Sequence, residues 1–163
     1  MELEKAKLIA DKYIQKLSPY CVRIEIAGSI RRRKPEVKDI EIVCIRNTRK
    51  LFDFVTEVNK LKKIKGGPTG KYTQRQLPEG IVLDLFFAIP ENWGLIFAIR
   101  TGSASFSHNV LGKGWVKAGY KSINGILMKG NITKPVFEER ELFDLIGMDY
   151  VEPGKREFQE LFD

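Results

Sequence analysis

The residues best placed to do chemistry lie between Ile24 and Ile45, in the stretch I-E-I-A-G-S-I-R-R-R-K-P-E-V-K-D-I-E-I-V-C-I. Asp39 and Glu41 interrupt its second apolar run two positions apart. Side chains alternate faces along a strand, so both carboxylates project from one face while Ile40, Ile42 and Cys44 project from the other. Like charges held side by side on so apolar a strand repel, and a cation between them offsets that cost. Hard carboxylate oxygens completed by water and phosphate are the usual ligands of Mg²⁺ at phosphoryl-transfer sites. Upstream, Gly28 lets the backbone approach a ligand closely and Ser29 adds a hydroxyl at the same turn. Arg31 and Arg32 follow, and the planar guanidinium fork suits phosphate. A phosphate-binding turn leading into a metal-binding acid pair describes a nucleotide site. The plainer alternative is a half-exposed strand with a polar outer face.

The elements that must position these residues can be read in outline. Apolar residues recur helically from Glu2 to Leu17, and Ser18-Pro19 stops the run. Cys21 to Ala27 and Ile40 to Ile45 are expected strands, and Leu51 to Leu61 an amphipathic helix that covers the sheet. Lys65 to Gly70 reads as a glycine-rich loop, Lys71 to Leu77 as a strand, Pro78 to Gly80 as a tight turn, and Ile81 to Ile89 as a strand. Within that last strand Asp84 stands alone among apolar residues, and it must be paired, protonated or bound to metal. Pro90 ends the strand. Helices are expected over Glu91 to Arg100 and from about Ser105 to Ala118, with Thr101-Gly102-Ser103 between them as a candidate cap. Short strands follow from Tyr120 to Met128, with turns at Asn124-Gly125 and Gly130-Asn131, then a helix from about Val136 to Ile146 ended by Gly147.

At 163 residues, with 43% hydrophobic and 30% charged residues, the chain can form one substantial core or two small ones. The net charge of +7 and a pI near 9.4 point to a polyanionic partner. No apolar run reaches the roughly 20 residues that span a bilayer, and the N-terminus lacks a secretory signal's apolar core. A cytoplasmic, intracellular protein is expected, without membrane partners. Cys21 and Cys44 read as buried free thiols. His108 is expected on a solvent- or nucleic-acid-facing helix position, with no metal or catalytic role.

The pattern G-S-x-R-R followed by D-h-[D/E]-h, where h is apolar, is carried here by Gly28, Ser29, Arg31, Arg32, Asp39 and Glu41. It resembles the nucleotidyltransferases of the polymerase beta superfamily, and within it the family X DNA polymerases. Thr101-Gly102-Ser103 and the closing E-R-E-L-F-D-L-I-G-M-D-Y-V-E-P-G-K-R-E are similar to segments of that family, so the resemblance runs from about Cys21 to Arg156. Glu41 stands where the family usually has aspartate, Ser107 where it has asparagine, and Val82 and Phe86 where arginines often flank the third acid.

The resemblance implies an α+β fold, with a nucleotidyltransferase palm of mixed sheet and packing helices over residues 1–100 and a small thumb over 101–163. It implies Asp39, Glu41 and Asp84 as catalytic, metal-holding acids, with Mg²⁺ or alternatively Mn²⁺ as cofactor. Gly28, Ser29 and Arg32 would hold the nucleotide phosphates, and Thr101 and Gly102 would face its sugar. The implied partners are a nucleoside triphosphate and DNA, as primer-template or gapped duplex, and the implied enzyme is a monomeric DNA polymerase acting in short-gap repair. Transfer to RNA, a small molecule or a protein stays open, as does a degenerate nucleic-acid-binding module.

Overall fold

The structure is a computed structural model and describes residues 1–157. It divides into two compact units, Met1–Ile89 and from Pro90 onward.

The first unit opens with α1 (Leu3–Leu17), whose Ala6, Ile9, Ala10, Tyr13 and Leu17 form a buried stripe. Strand β1 (Cys21–Ile26) leads through the single helical turn α2 (Gly28–Arg31) to β2 (Asp39–Arg46). Helix α3 (Leu51–Asn59) is followed by β3 (Lys62–Gly66), β4 (Tyr72–Gln76) and β5 (Val82–Phe87). The five strands form one mixed sheet in the order β1-β2-β5-β4-β3. β5 enters between β2 and β4, parallel to β2 and antiparallel to β4. A parallel pair needs a crossover, and α3 with the β3–β4 hairpin supplies it. One face of the sheet, with Ile40, Ile42, Cys44, Leu83, Leu85 and Phe87, shares a buried core with α1 and α3.

Strand β3 lies inside a stretch that the sequence marks as helix end and loop. Every residue of it is exposed, so no apolar alternation announces it. Three of its five residues are lysines, which suits an edge strand because charge there discourages pairing with a foreign strand. Cys44 is buried as expected, whereas Cys21 is only half-buried.

The second unit begins at Pro90, eleven residues before the expected start at residue 101, because the helix that follows belongs to its core. That helix, α4 (Trp93–Thr101), contributes Leu95 and Ala98 to a cluster with Phe106, Leu111, Leu127, Val136, Leu142 and Phe143. Gly94 is required there, since a Cβ would collide with the backbone of Glu138. The expected helix from Ser105 to Ala118 is helical but divided into α5 (Ala104–Phe106), a π-helical stretch over Ser107–Gly112, and α6 (Lys113–Lys117). The Lys113 N–H reaches back five residues to the His108 carbonyl. Ser105, Ser107, Asn109 and Gly112 are weak helix formers, which leaves the regular ladder easy to displace. His108 is exposed.

Strands β6 (Lys121–Ile123), β7 (Ile126–Lys129) and β8 (Ile132–Lys134) make an antiparallel sheet with turns at Asn124-Gly125 and Gly130-Asn131. Helix α7 (Glu139–Leu145) starts three residues later than its apolar pattern suggests. Val136 is engaged in backbone hydrogen bonds with Glu91 and Gly94, and the Glu138 N–H is capped by the Glu141 carboxylate at 2.7 Å. Gly147, at φ +75°, closes the helix.

Candidate functional site

β2 and β5 pair in register, with Glu41 opposite Asp84 and Asp39 opposite Val82. Opposite residues of a sheet share a face, so Asp39, Glu41 and Asp84 stand on the face turned away from the α1 and α3 core. The register brings Asp84 beside an acid pair more than forty residues earlier in the chain. Asp39 is exposed at the start of β2, Glu41 is half-buried and Asp84 is buried.

Asp84 is held by neutral donors. Its Oδ1 accepts from the Tyr72 hydroxyl at 2.8 Å and from Gln74 Nε2 at 2.9 Å. Gln74 lies opposite Asp84 across the β4–β5 pair, and Tyr72 lies opposite Phe86, its ring stacked at a centroid distance of 4.9 Å. Sequence reading missed both orienting residues. Their alternate spacing on one strand was visible, but the register that aims them at Asp84 was not.

Partial burial, and then the Asp84 charge, push the Asp39 carboxyl above its ordinary value of 3.8, with Lys38 opposing. Two carboxylates close enough to feel one another thus share this face.

The Gly28 turn borders the same acids. The Ala27 N–H donates to the Glu41 carbonyl at 2.8 Å, tying the start of the turn to β2. Gly28 has φ +62°, and a Cβ there would collide with the Glu41 carboxylate. Glycine is demanded both by the left-handed backbone and by the acid lying over it. Ser29 sits in α2, half-buried, and its carbonyl accepts from the Lys34 N–H at 3.0 Å. Arg32 follows α2, its N–H bonded to the Gly28 carbonyl at 3.1 Å. The first unit therefore gathers Gly28, Ser29, Arg32, Asp39, Glu41 and Asp84 around one end of β2.

Thr101 and Gly102 belong to the second unit. Thr101 is fully buried and its hydroxyl donates to the Phe97 carbonyl at 2.7 Å, which leaves backbone atoms as its means of touching a ligand. Gly102 has φ +70°, and the Gly102–Ser103 peptide bond is cis. Ser103 accepts the Phe106 N–H at 3.2 Å and so caps α5. Its own N–H donates to the Arg156 carbonyl at 2.9 Å. Arg156 is buried, pairs with Glu139 at 2.6 Å, donates to the Val151 carbonyl at 2.8 Å, and lies over the rings of Phe143 and Tyr150. The closing E-P-x-x-R segment is thus a structural anchor for the Thr-Gly-Ser turn.

Among the described residues, no group of three His, Cys, Asp or Glu side chains stands arranged to hold a metal ion. Glu41 lies against Gly28, and the Asp84 Oδ1 is engaged by Tyr72 and Gln74. Carboxylate oxygens on neighbouring strands, one with its charge disfavoured by another, fit a hard divalent cation in chemistry. They are not a preassembled three-acid cage.

No protein-family model matches the sequence, and no curated protein matches it. Among solved structures, the chain is similar to Leishmania infantum polymerase beta in a ternary P/T complex, with a TM-score of 0.74 and 17% sequence identity, over 97% of this chain and 77% of that one. The fold is polymerase beta-like. A mixed sheet with packing helices followed by a smaller α/β unit is the architecture expected from the sequence, and at this identity the likeness carries the fold alone. Among the described residues, no helix of this polymerase beta-like fold is long and apolar enough to cross a membrane.

Proposed function

We propose that this chain is a nucleotidyltransferase that adds deoxynucleotides to a primer 3′-hydroxyl. The observation that carries the reading is the register of β2 with β5, which sets Asp84 opposite Glu41 on the face that also bears Asp39, beside the Gly28-Ser29 turn. A polymerase beta-like fold with that acid face supports transfer of a phosphoryl-linked group.

Asp39, Glu41 and Asp84 would hold the divalent cations, Mg²⁺ or Mn²⁺. When bound, these cations lower the pKa of the attacking hydroxyl and neutralise the triphosphate charge. Tyr72 and Gln74 fix the Asp84 carboxylate in one orientation. The Ser29 hydroxyl and the Arg32 guanidinium bind the outer phosphates, and Gly28 keeps room for Glu41. Thr101 and Gly102 serve the nucleotide sugar through backbone atoms. The first unit acts as palm and the second as thumb, in a monomer working inside the cell on gapped or primer-template DNA in short-gap repair.

A second reading, a nucleic-acid-binding module without metal chemistry, draws support from the absence of a preassembled acid cage among the described residues. Extension of a labelled primer by each nucleotide on gapped, templated and single-stranded DNA, with Mg²⁺ or Mn²⁺, separates the two. Template-dependent addition that disappears in Asp39→Ala is the expected result. Undiminished activity in Asp39→Ala overturns the site. Failure on every DNA, with activity on RNA, small-molecule or protein acceptors, changes the substrate class. Metal-independent binding without any transfer leaves the module.

A further inference from the structure

The chain has two cysteines, and both lie in the first unit on adjacent antiparallel strands. Cys44 pairs with Ile24, and Cys21 pairs with Arg46 two residues beyond Cys44, so Cys21 and Cys44 are diagonal neighbours across β1 and β2. The register shifts between Cys21 and Arg23, which draws Cys21 towards Cys44 on the face they share. Cys21 is half-buried and reachable from solvent, whereas Cys44 is fully buried.

Arg46 lies beside the pair. Its guanidinium rests 4.1 Å from the Phe87 ring centroid and donates to the Pro68 carbonyl at 2.6 Å, so it is held in place. The neighbouring Cys44 thiol and the Arg46 charge hold the Cys21 thiol below its ordinary value against the opposing effect of burial. The Cys44 thiol is raised by its Cys21 neighbour and by burial. A thiol reachable from solvent beside a buried one on the neighbouring strand is the pairing in which one sulfur attacks an oxidant and the other resolves the product.

From this juxtaposition across β1 and β2 we infer that Cys21 and Cys44 form a thiol-oxidation site that takes hydroperoxides and closes an intramolecular disulfide. The Cys21 thiolate attacks a peroxide oxygen. A sulfur–oxygen bond forms, the oxygen–oxygen bond breaks, and with hydrogen peroxide the leaving hydroxide takes a proton and departs as water. Cys44 then gives up its proton and attacks the Cys21 sulfur, so that the sulfur–sulfur bond forms, the sulfur–oxygen bond breaks and a second water leaves. Two thiols are oxidised and one peroxide is reduced. The ring so closed contains Gly28, Ser29, Arg32, Asp39 and Glu41, and it fastens two strands already paired in this register. The inference concerns the thiols alone and does not depend on the nucleotidyltransferase reading.

The test is exposure of the full chain to hydrogen peroxide, followed by non-reducing intact-mass measurement and peptide mapping. Loss of two hydrogen atoms, a cross-linked peptide pair containing Cys21 and Cys44, restoration by a dithiol reductant, and a Tm higher by roughly 5–10 °C are expected. In Cys44→Ser, Cys21 should retain added oxygen. In Cys21→Ser, Cys44 should react many-fold more slowly than Cys21 does in the natural chain. Two thiols that stay titratable, oxygen added to each independently, or cross-links only between molecules would overturn the assignment on the unmodified chain alone.

Discussion

Asp39 occupies the exposed first position of β2, yet burial and the neighbouring Asp84 hold its carboxyl above the ordinary 3.8. Below that value the group is protonated in folded and unfolded chains alike and affects stability little. As pH rises past it, the unfolded chain loses the proton more readily, so the folded state loses stability until pH exceeds the raised value. Asp39→Asn should therefore raise Tm at about pH 7, by about 1–2 °C once solvent screening is allowed for, and the gain should vanish near about pH 3. Thermal melts at the two pH values check this, and a loss of stability at neutral pH would show that Asp39 is not under charge repulsion. The signature Gly28-Ser29 and Asp39-Glu41 was legible residue by residue, because glycine, serine and carboxylate chemistry is carried by residue type and spacing. Tyr72 and Gln74, which aim Asp84, were not legible, because a tyrosine and a glutamine two apart on a strand are ordinary.

The elements of the second unit are tied together by Arg156. Its carbonyl receives the Ser103 N–H, and its guanidinium is paired with Glu139 at the start of α7 with almost no solvent exposure. Removing one partner of a buried ion pair leaves a desolvated charge and costs about 3–5 kcal/mol, whereas replacing both by apolar groups is often close to neutral. Arg156→Ala should lower Tm by roughly 10 °C, and the double change Arg156→Met with Glu139→Leu should recover most of that loss. A single variant that melts with the natural chain would remove Arg156 from its anchoring role. The apolar periodicities of α1, α3 and α4 and the punctuation at Pro19, Pro90 and Gly147 marked these elements within a few residues. β3 escaped because an edge strand exposed along its length has no buried face to pattern.

At the scale of the whole chain, +7 of net charge is carried in part by the exposed lysines of β3 and by Lys117 and Lys121. Each phosphate neutralised on a duplex releases counterions, so binding that rests on such charges weakens steeply with salt. Affinity for duplex DNA should fall about 10³-fold between about 50 and 200 mM monovalent salt, as for roughly six phosphate contacts, and replacing Lys62, Lys63 and Lys65 by alanine should flatten the slope. Fluorescence anisotropy titrations measure both, and a salt-insensitive affinity would detach the basic charge from nucleic acid. The sequence by itself determined the basic balance, the strands that carry Asp39, Glu41 and Asp84, and the glycine turn before them, since periodicity, charge and backbone permissiveness are local properties, and its family resemblance implied the α+β class. Only the tertiary structure decided that β5 lies parallel and in register with β2, that Asp84 is oriented by Tyr72 and Gln74, that Cys21 stands diagonal to Cys44 across β1 and β2, and that α4 belongs to the second core. Strand order and register follow from how whole elements bury their apolar faces together, and no window of neighbouring residues contains that information.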